Sequence, residues 1–431
     1  MAGAARRPRE IAVLGGGLAG VATCWHLLQA AAAGGAGPVR VRLLEGHGAL
    51  GSGASGASAG LLHPWAPGGG RRLPWGEEGM RASGAALAAA EAWARRRGHP
   101  PLARRSGVLR AARDAEQVER WASLFAEGGA PQGLRALSQA EAEVLAPGLR
   151  AGAGSSLSGL DAEGPAALYD PAGVVVDTRR YLEALWGCCE ELADAAPGCA
   201  ADLELGRRVE SLAGLEAESR LDGLIVAAGA AAEALPELRG RLGLRLCLGH
   251  GVEVSPPPGG EPGSVWPLGM PSLLGPVYLA ARPGGDGATL GSTKVWGVTP
   301  EEALQRDSLQ PVGAAEAREV GAELLSSGGR LWEPAAGWVP GEVRAGVRAN
   351  TRRDHLGALP YVGPLPGAPR RWLLTGLGAR GLVYHSLFAG WLAAAVLAGD
   401  PGGLPPECTA WRARFEPEPE PAPAPAPGGA P

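Results

Sequence analysis

Hydrophobic positions first cluster at Ile11–Leu14, and a glycine-rich stretch, Gly15–Gly20, closes that run. Four apolar residues stopped by glycines fit a short strand buried on both faces. Val21–Ala33 has the composition of a helix, and Val39–Leu44 alternates valine and arginine before two leucines and Glu45. The order strand, glycine turn, helix, strand, acid predicts one βαβ unit. Ala82–Arg97 repeats its apolar positions at helical spacing, with Trp93 on the apolar side. Val174–Trp186 predicts a short strand, an Asp177-Thr178 break and a helix. Strands are expected over Leu203–Leu212, Leu221–Ala228, Val252–Val254, Val277–Ala281 and Ala288–Gly291, separated by Gly/Pro clusters. Ala314–Ser326 predicts a helix. Arg371–Thr375 predicts a strand running into Gly376, Gly378 and Gly381, with a helix over Leu382–Ala398.

Signals of a nucleotide domain therefore stand near the start, the middle and the end of the chain, with β-rich segments between them. The expected fold class is α/β: a Rossmann-like dinucleotide domain with an inserted α+β domain on a mixed or antiparallel sheet. The expected division assigns 1–80, 172–235 and 345–415 to the first and 81–171 and 236–344 to the second. The tail from Glu416 alternates proline with acid or alanine and is expected to be disordered or polyproline II.

Composition narrows the function classes. The 431 residues suffice for two cores, and a net charge of −4 gives no global basic field for nucleic acid. Lys294 is the only lysine among 40 basic residues. The six cysteines include no CxxC pair and the seven histidines form no cluster, so free thiols and no metal are expected. The apolar stretch Ser386–Gly399 is too short for a membrane span and reads as a core helix. No apolar signal core follows Met1–Glu10, so a cytoplasmic protein is expected, or an organellar one if the start is incomplete.

Candidate chemistry begins at the glycine turn. Gly15 permits the tight turn, Gly17 lets backbone approach a pyrophosphate, and Gly20 lets helix and strand pack closely. Leu18 and Ala19 complete the turn as candidates for the cofactor, and the N-terminus of the helix that follows presents amides and a positive dipole end to phosphates. Glu45, at the end of the second strand, is placed to accept hydrogen bonds from ribose hydroxyls and disfavours a 2′-phosphate. The small residues of Gly51–Gly60, with Ser52, Ala54, Ser55, Gly60 and Leu61 as candidates, leave room for backbone amides to reach a cofactor.

On Gly15–Gly20, Glu45 and the segment GASGASAGLLHP, the sequence resembles the D-amino-acid-oxidase-like family of FAD enzymes, which includes glycine and sarcosine oxidases. Val174-Val175-Val176-Asp177, LIVAAG at Leu224–Gly229, Gly291-Ser292-Thr293, Gly346-Val347-Arg348 and Thr375–Leu382 extend the resemblance over most of 11–400. GASGASAGLLHP and GLGARGLVYHS also resemble the FAD domain of bifunctional bacterial enzymes that make 5-methylaminomethyl-2-thiouridine in tRNA.

The resemblance implies non-covalent FAD and oxidation of a carboxylate-bearing amine. The substrate is then a modified tRNA wobble uridine or a free amino acid, with molecular oxygen as electron acceptor. It places Arg348 on the substrate carboxylate, Val209 against the adenine, and Ala228 and Gly229 at the cofactor. Gly378, Ala379, Arg380, Gly381 and Leu382 are implied beside the flavin, where a helix N-terminus would stabilise the reduced anion. Arg380 is open between that role and a turn cap, and His63 between facing the flavin and preceding Pro64 in a turn. Tyr384 and His385 are open between packing and substrate contact, and Lys294 between promoting oxygen activation near the flavin and being an exposed lysine. A flavin-binding protein without turnover, or an NAD-linked enzyme, are the readings from other classes.

Overall fold

The computed structural model describes residues 7–35, 37–126, 131–150, 164–259 and 266–415. The proline-rich tail from Glu416 lies outside them. A six-stranded sheet carries the strands Tyr361–Leu365, Ala368–Thr375, Gly223–Val226, Arg9–Leu14, Val39–Glu45 and Ala200–Leu205, in that order. All pairs are parallel except the first, which is an antiparallel hairpin at the edge. Glycine explains how the first crossover packs. A Cβ on Gly20 would lie 1.9 Å from the Gly15 carbonyl oxygen, so no other residue lets the helix sit so close to the turn.

One face of this sheet is covered by the helix Leu18–Ala32, apolar on nearly every side and buried accordingly. Helices Thr178–Ala195 and Gly381–Ala398 pack on it, and Gly76–Arg96 packs on those two. The last, with the turn before it, forms a 21-residue apolar helix from Gly378 to Ala398 with mean hydropathy 1.6. By length and composition it could cross a membrane, which corrects the shorter stretch read from the sequence. In this fold 61% of its apolar window is buried against neighbouring helices, so it serves as a core helix.

A second sheet orders Val295–Trp296, Arg245–Ser255, Ala288–Gly291, Tyr278–Ala281, Ser272–Leu274, Val108–Ala111, Ala167–Asp170 and Arg135–Leu137. Val339–Asn350 pairs antiparallel along nearly the whole of Arg245–Ser255. The helix Ala314–Leu331 packs on this sheet over a core that includes Trp266, Trp332 and Trp338. Leu61–Leu62, Val174–Val176 and Ala103–Arg104 make a small third sheet between the two.

Three strands differ from the sequence pattern. The strand expected over Leu203–Leu212 stops at Leu205, because Gly206 turns the chain at φ +70° and Ser211 caps a helix over Leu212–Glu218. The strands Arg245–Ser255 and Val339–Asn350 run eleven and twelve residues. Gly249, Gly251, Gly341 and Gly346 interrupt their side-chain alternation, whereas a ladder of backbone hydrogen bonds needs no side chains.

Candidate functional site

A cavity of about 850 Å³ opens where the parallel strands end and the second sheet faces them. Its first wall comes from Leu14-Gly15, Leu44-Glu45, Ala227–Gly229 and Leu374–Gly376. The crevice beyond the carboxyl ends of parallel strands is where α/β sheets bind ligands.

The phosphate end is built from backbone. Gly15 holds φ +108°, and a Cβ there would meet the Ala227 carbonyl oxygen at 2.6 Å. Gly17 precedes the helix Leu18–Ala32 with no side-chain cap of its own. Ser55 reaches over instead, and its Oγ accepts the Leu18 amide at 3.1 Å. Glu45 is buried, accepting the Gly16 amide at 2.7 Å and the His47 amide at 2.9 Å. A carboxylate has capacity for about four hydrogen bonds, so acceptor sites remain beside the cavity.

The turn Gly51–Gly60 is clamped from two directions. Ser308 donates through Oγ to the Gly51 and Gly53 carbonyls and through its amide to the Ser52 carbonyl. Gly60, at φ +73°, lies so near Val176 that a Cβ would stand 1.8 Å from its carbonyl oxygen. Gly346 plays the matching part in the second sheet, where a Cβ would meet Ala54 Cα at 2.9 Å.

Most candidates from the sequence meet here. Gly15, Gly17, Leu18, Ala19, Glu45, Ala54, Ser55, Gly60, Leu61, Val209, Ala228, Gly229, Arg348 and the run Gly378–Leu382 all line the cavity. Gly20 does not, since its place is the packing contact with Gly15. Ser52 does not line it either: it is buried, and its hydroxyl donates to the Ala49 carbonyl. His63 faces the cavity from a buried position, and Lys294 sits exposed at its edge. Tyr384 and His385 belong to the core: Tyr384 donates to the Pro74 carbonyl, and His385 pairs with Tyr181 at 2.7 Å.

The substrate side centres on Arg348. It extends from Val339–Asn350 over Gly249, where a Cβ would come within 2.7 Å of its Nη2. Nη2 donates to the Thr293 carbonyl at 3.5 Å and approaches Cys247 Sγ at 3.8 Å. Thr293 is itself held by His250, whose Nδ1 lies 2.6 Å from Thr293 Oγ1 and whose Nε2 lies 2.9 Å from Glu316 Oε1. Tyr278 stands beside Arg348 on the same sheet. Burial pushes its hydroxyl up to about 12, with Arg348 pulling the other way, so it remains a neutral donor. Sequence reasoning missed Tyr278, His250 and Glu316; a lone tyrosine in a short strand carries no local signal.

Charge in the cavity is one-sided. Among the described residues its lining holds one carboxylate, Glu45, against Arg110, Arg113, Arg120, Arg207, Arg208, Lys294, Arg306, Arg348 and Arg380. Burial, together with nearby Arg380, lowers the Arg110 guanidinium to about 10, still charged at neutral pH. Burial and those two arginines hold His63 well below its ordinary range, so it is neutral. Such a cavity selects anions. The turn that only glycine can form, the helix start with no side-chain cap from Gly17 and the buried acid fit a dinucleotide of the kind expected from the sequence.

The comparisons agree with this geometry. Residues 10–395 match the family model DAO, described as FAD dependent oxidoreductase. No curated protein sequence matches the chain. Among solved structures, glycine oxidase from Geobacillus kaustophilus superposes with a TM-score of 0.67 at 21% identity, covering 92% of this chain and 96% of that one. Iminodiacetate oxidase from Chelativorans sp. BNC1 gives 0.63 at 22%, covering 92% and 97%. L-proline dehydrogenase from P. horikoshii gives 0.65 at 15%, covering 95% and 98%. At these identities the likeness concerns the fold, while the family match covers nearly the whole chain. The protein therefore belongs to the DAO family of FAD-dependent oxidoreductases.

Proposed function

We propose that this enzyme oxidises the C–N bond of a small amine that carries a carboxylate, yielding an imine that water hydrolyses to a carbonyl compound and a free amine. The carrying observation is Arg348 beside Tyr278 in a cavity almost free of acids. The guanidinium is tied on one side to the Thr293 carbonyl, which leaves the rest of its planar fork for a carboxylate. Tyr278 adds a hydroxyl donor. Fixing the carboxylate at these two groups fixes the neighbouring carbon, and such positioning is what the protein contributes to the rate. Bound FAD supplies the acceptor for the two electrons and the hydrogen removed from that carbon, with molecular oxygen as the proposed reoxidant. Gly15, Gly17 and the amides opening the helix Leu18–Ala32 would hold its phosphates, and Glu45 its ribose. Glycine oxidase and iminodiacetate oxidase, by their names, act on substrates of this type.

A second reading keeps the chemistry and enlarges the substrate to the carboxymethylaminomethyl group of a tRNA wobble uridine. Arg113 and Arg120 favour it, since they line the cavity with half or more of each side chain exposed. Each is paired with an acid one or four residues away, Asp114 and Glu116, and such surface pairs open at little cost. Product analysis tests both. Holoenzyme in air is supplied with glycine, sarcosine, iminodiacetate or tRNA bearing the modified uridine, and carbonyl product and hydrogen peroxide are measured. Equimolar formation of the two from a free amino acid supports the first reading. Formation from tRNA alone supports the second, and formation from none opposes both.

A further inference from the structure

We propose that Arg110 and Arg380 form a second anion-binding subsite in this cavity, apart from the Arg348–Tyr278 pair, and that the substrate is therefore an amine carrying two acidic groups. The substrate being an amine rests on the proposed function; the subsite rests on its own geometry.

Arg110 lies on Val108–Ala111, in register with Leu274, which is in register with Tyr278. Two strand spacings of about 4.8 Å separate the Arg110 and Tyr278 backbones, so about 10 Å lies between them. Arg380 comes from the facing wall, in the turn that opens the helix Gly381–Ala398. Both guanidiniums line the same cavity as Arg348.

Partnership sets these two apart. Arg42, Arg105, Arg282 and Arg371 each meet a carboxylate within about 3 Å. Among the described residues, the Arg110 and Arg380 side chains make no ion pair or hydrogen bond, although both are withdrawn from bulk water and face the same space. A desolvated charge without a partner is costly, and two of like sign near each other cost more. An anion entering between them offsets both costs and gains charge-assisted hydrogen bonds. His63, neutral and adjacent, brings a further polar group to the same spot.

One carboxylate on Arg348 and Tyr278 and a second on Arg110 and Arg380 would hold an extended diacid by both ends, its nitrogen between them. A monocarboxylic amine would leave the second pair empty. The subsite thus selects for a second acidic group, where Arg348 selects for the first.

The test uses FAD-loaded protein and follows the visible flavin spectrum as it is titrated with non-reacting acids. Succinate, glutarate and adipate are compared with acetate and propionate, and iminodiacetate with sarcosine as reductants. The expected result is a diacid bound at least about 10-fold more tightly than the monoacids, with that preference lost in Arg110→Gln and partly restored in Arg110→Lys. Three results would overturn the subsite: diacids no tighter than monoacids, a preference unchanged in Arg110→Gln, or purification of Arg110→Gln without FAD, which would assign that charge to the cofactor. The two proposals fail separately. Sarcosine reduction without diacid preference removes the subsite and keeps the amine reading. Diacid binding that depends on Arg110, with neither amine reducing the flavin, keeps the subsite and removes the amine reading.

Discussion

Gly16 donates its amide hydrogen to Glu45 Oε2 at 2.7 Å, so the glycine turn and the acid that ends the second strand are one unit. With the His47 amide on Oε1, Glu45 fixes both the turn and the chain leaving the strand. Glu45→Gln replaces one acceptor by a donor that must face an amide. Losing a buried hydrogen bond to a charged group costs about 1.5–3 kcal/mol. FAD affinity is expected to fall about 10-fold or more, measured by retention through gel filtration and by titration of apoprotein. Unchanged affinity would show that the acid serves neither turn nor ribose.

Gly17 and Gly20 separate binding from folding. A Cβ at Gly17 meets only the movable Ser55 hydroxyl at 3.0 Å, whereas one at Gly20 meets Gly15 backbone at 1.9 Å. Gly17→Val is expected to keep native circular dichroism and lose FAD, because its side chain fills the phosphate position. Gly20→Ala is expected to lower the melting temperature as well. Equal damage to folding by both would contradict this division.

Arg348→Ala is expected to cost substrate binding or turnover about 30-fold or more, since an unpaired buried carboxylate costs upwards of about 2 kcal/mol. Arg348→Lys should recover part, lacking the planar fork. FAD content should stay normal in both. Wild-type efficiency in Arg348→Ala would move the carboxylate site elsewhere.

Acid stability depends on two histidines behind the cavity. Burial lowers His26 and His385 from 6.5 to about 4 each. His26 shares a hydrogen bond with Ser386, and His385 lies between Tyr181 and the Leu382 carbonyl. As the folded values are depressed, the unfolded chain takes up protons first. Stability from these groups is full above pH 6.5 and is lost progressively as pH falls toward 4, by up to about 3 kcal/mol per histidine. Chemical denaturation between pH 7 and 4 should show this fall, with a shallower slope in His26→Gln. A flat profile would show that both histidines protonate freely in the fold.

The parts legible in the sequence were those carried by local backbone demands. Gly15, Gly17, Gly20 and Glu45 stand at spacings that one strand-turn-helix-strand unit imposes, and the structure brings Gly15, Gly17 and Glu45 to one cavity, with Gly20 packed behind Gly15. Arg348 was legible only through its motif. Arg110 and Tyr278 were not, because what brings them near Arg380 and Arg348 is strand register across a sheet assembled from distant segments. Small residues in a turn look alike in sequence, whereas the fold buries Ser52 and leaves Ala54 and Ser55 lining the cavity. The long strands around Gly249 and Gly346 were missed for a related reason. Glycine erases the alternation that marks a strand, and here it makes room for the Arg348 guanidinium and for Ala54.

Anaerobic mixing of FAD-loaded protein with carboxylate-bearing amines tests the central claim most directly, since it reads electron transfer without relying on an oxidant. Iminodiacetate, sarcosine and glycine are each compared with the matching amine lacking a carboxylate. At least one acid is expected to bleach the visible flavin absorbance, and its carboxylate-free counterpart to do so far more slowly or not at all. Flavin that stays oxidised with every such acid, yet is fully reduced by dithionite, would contradict it.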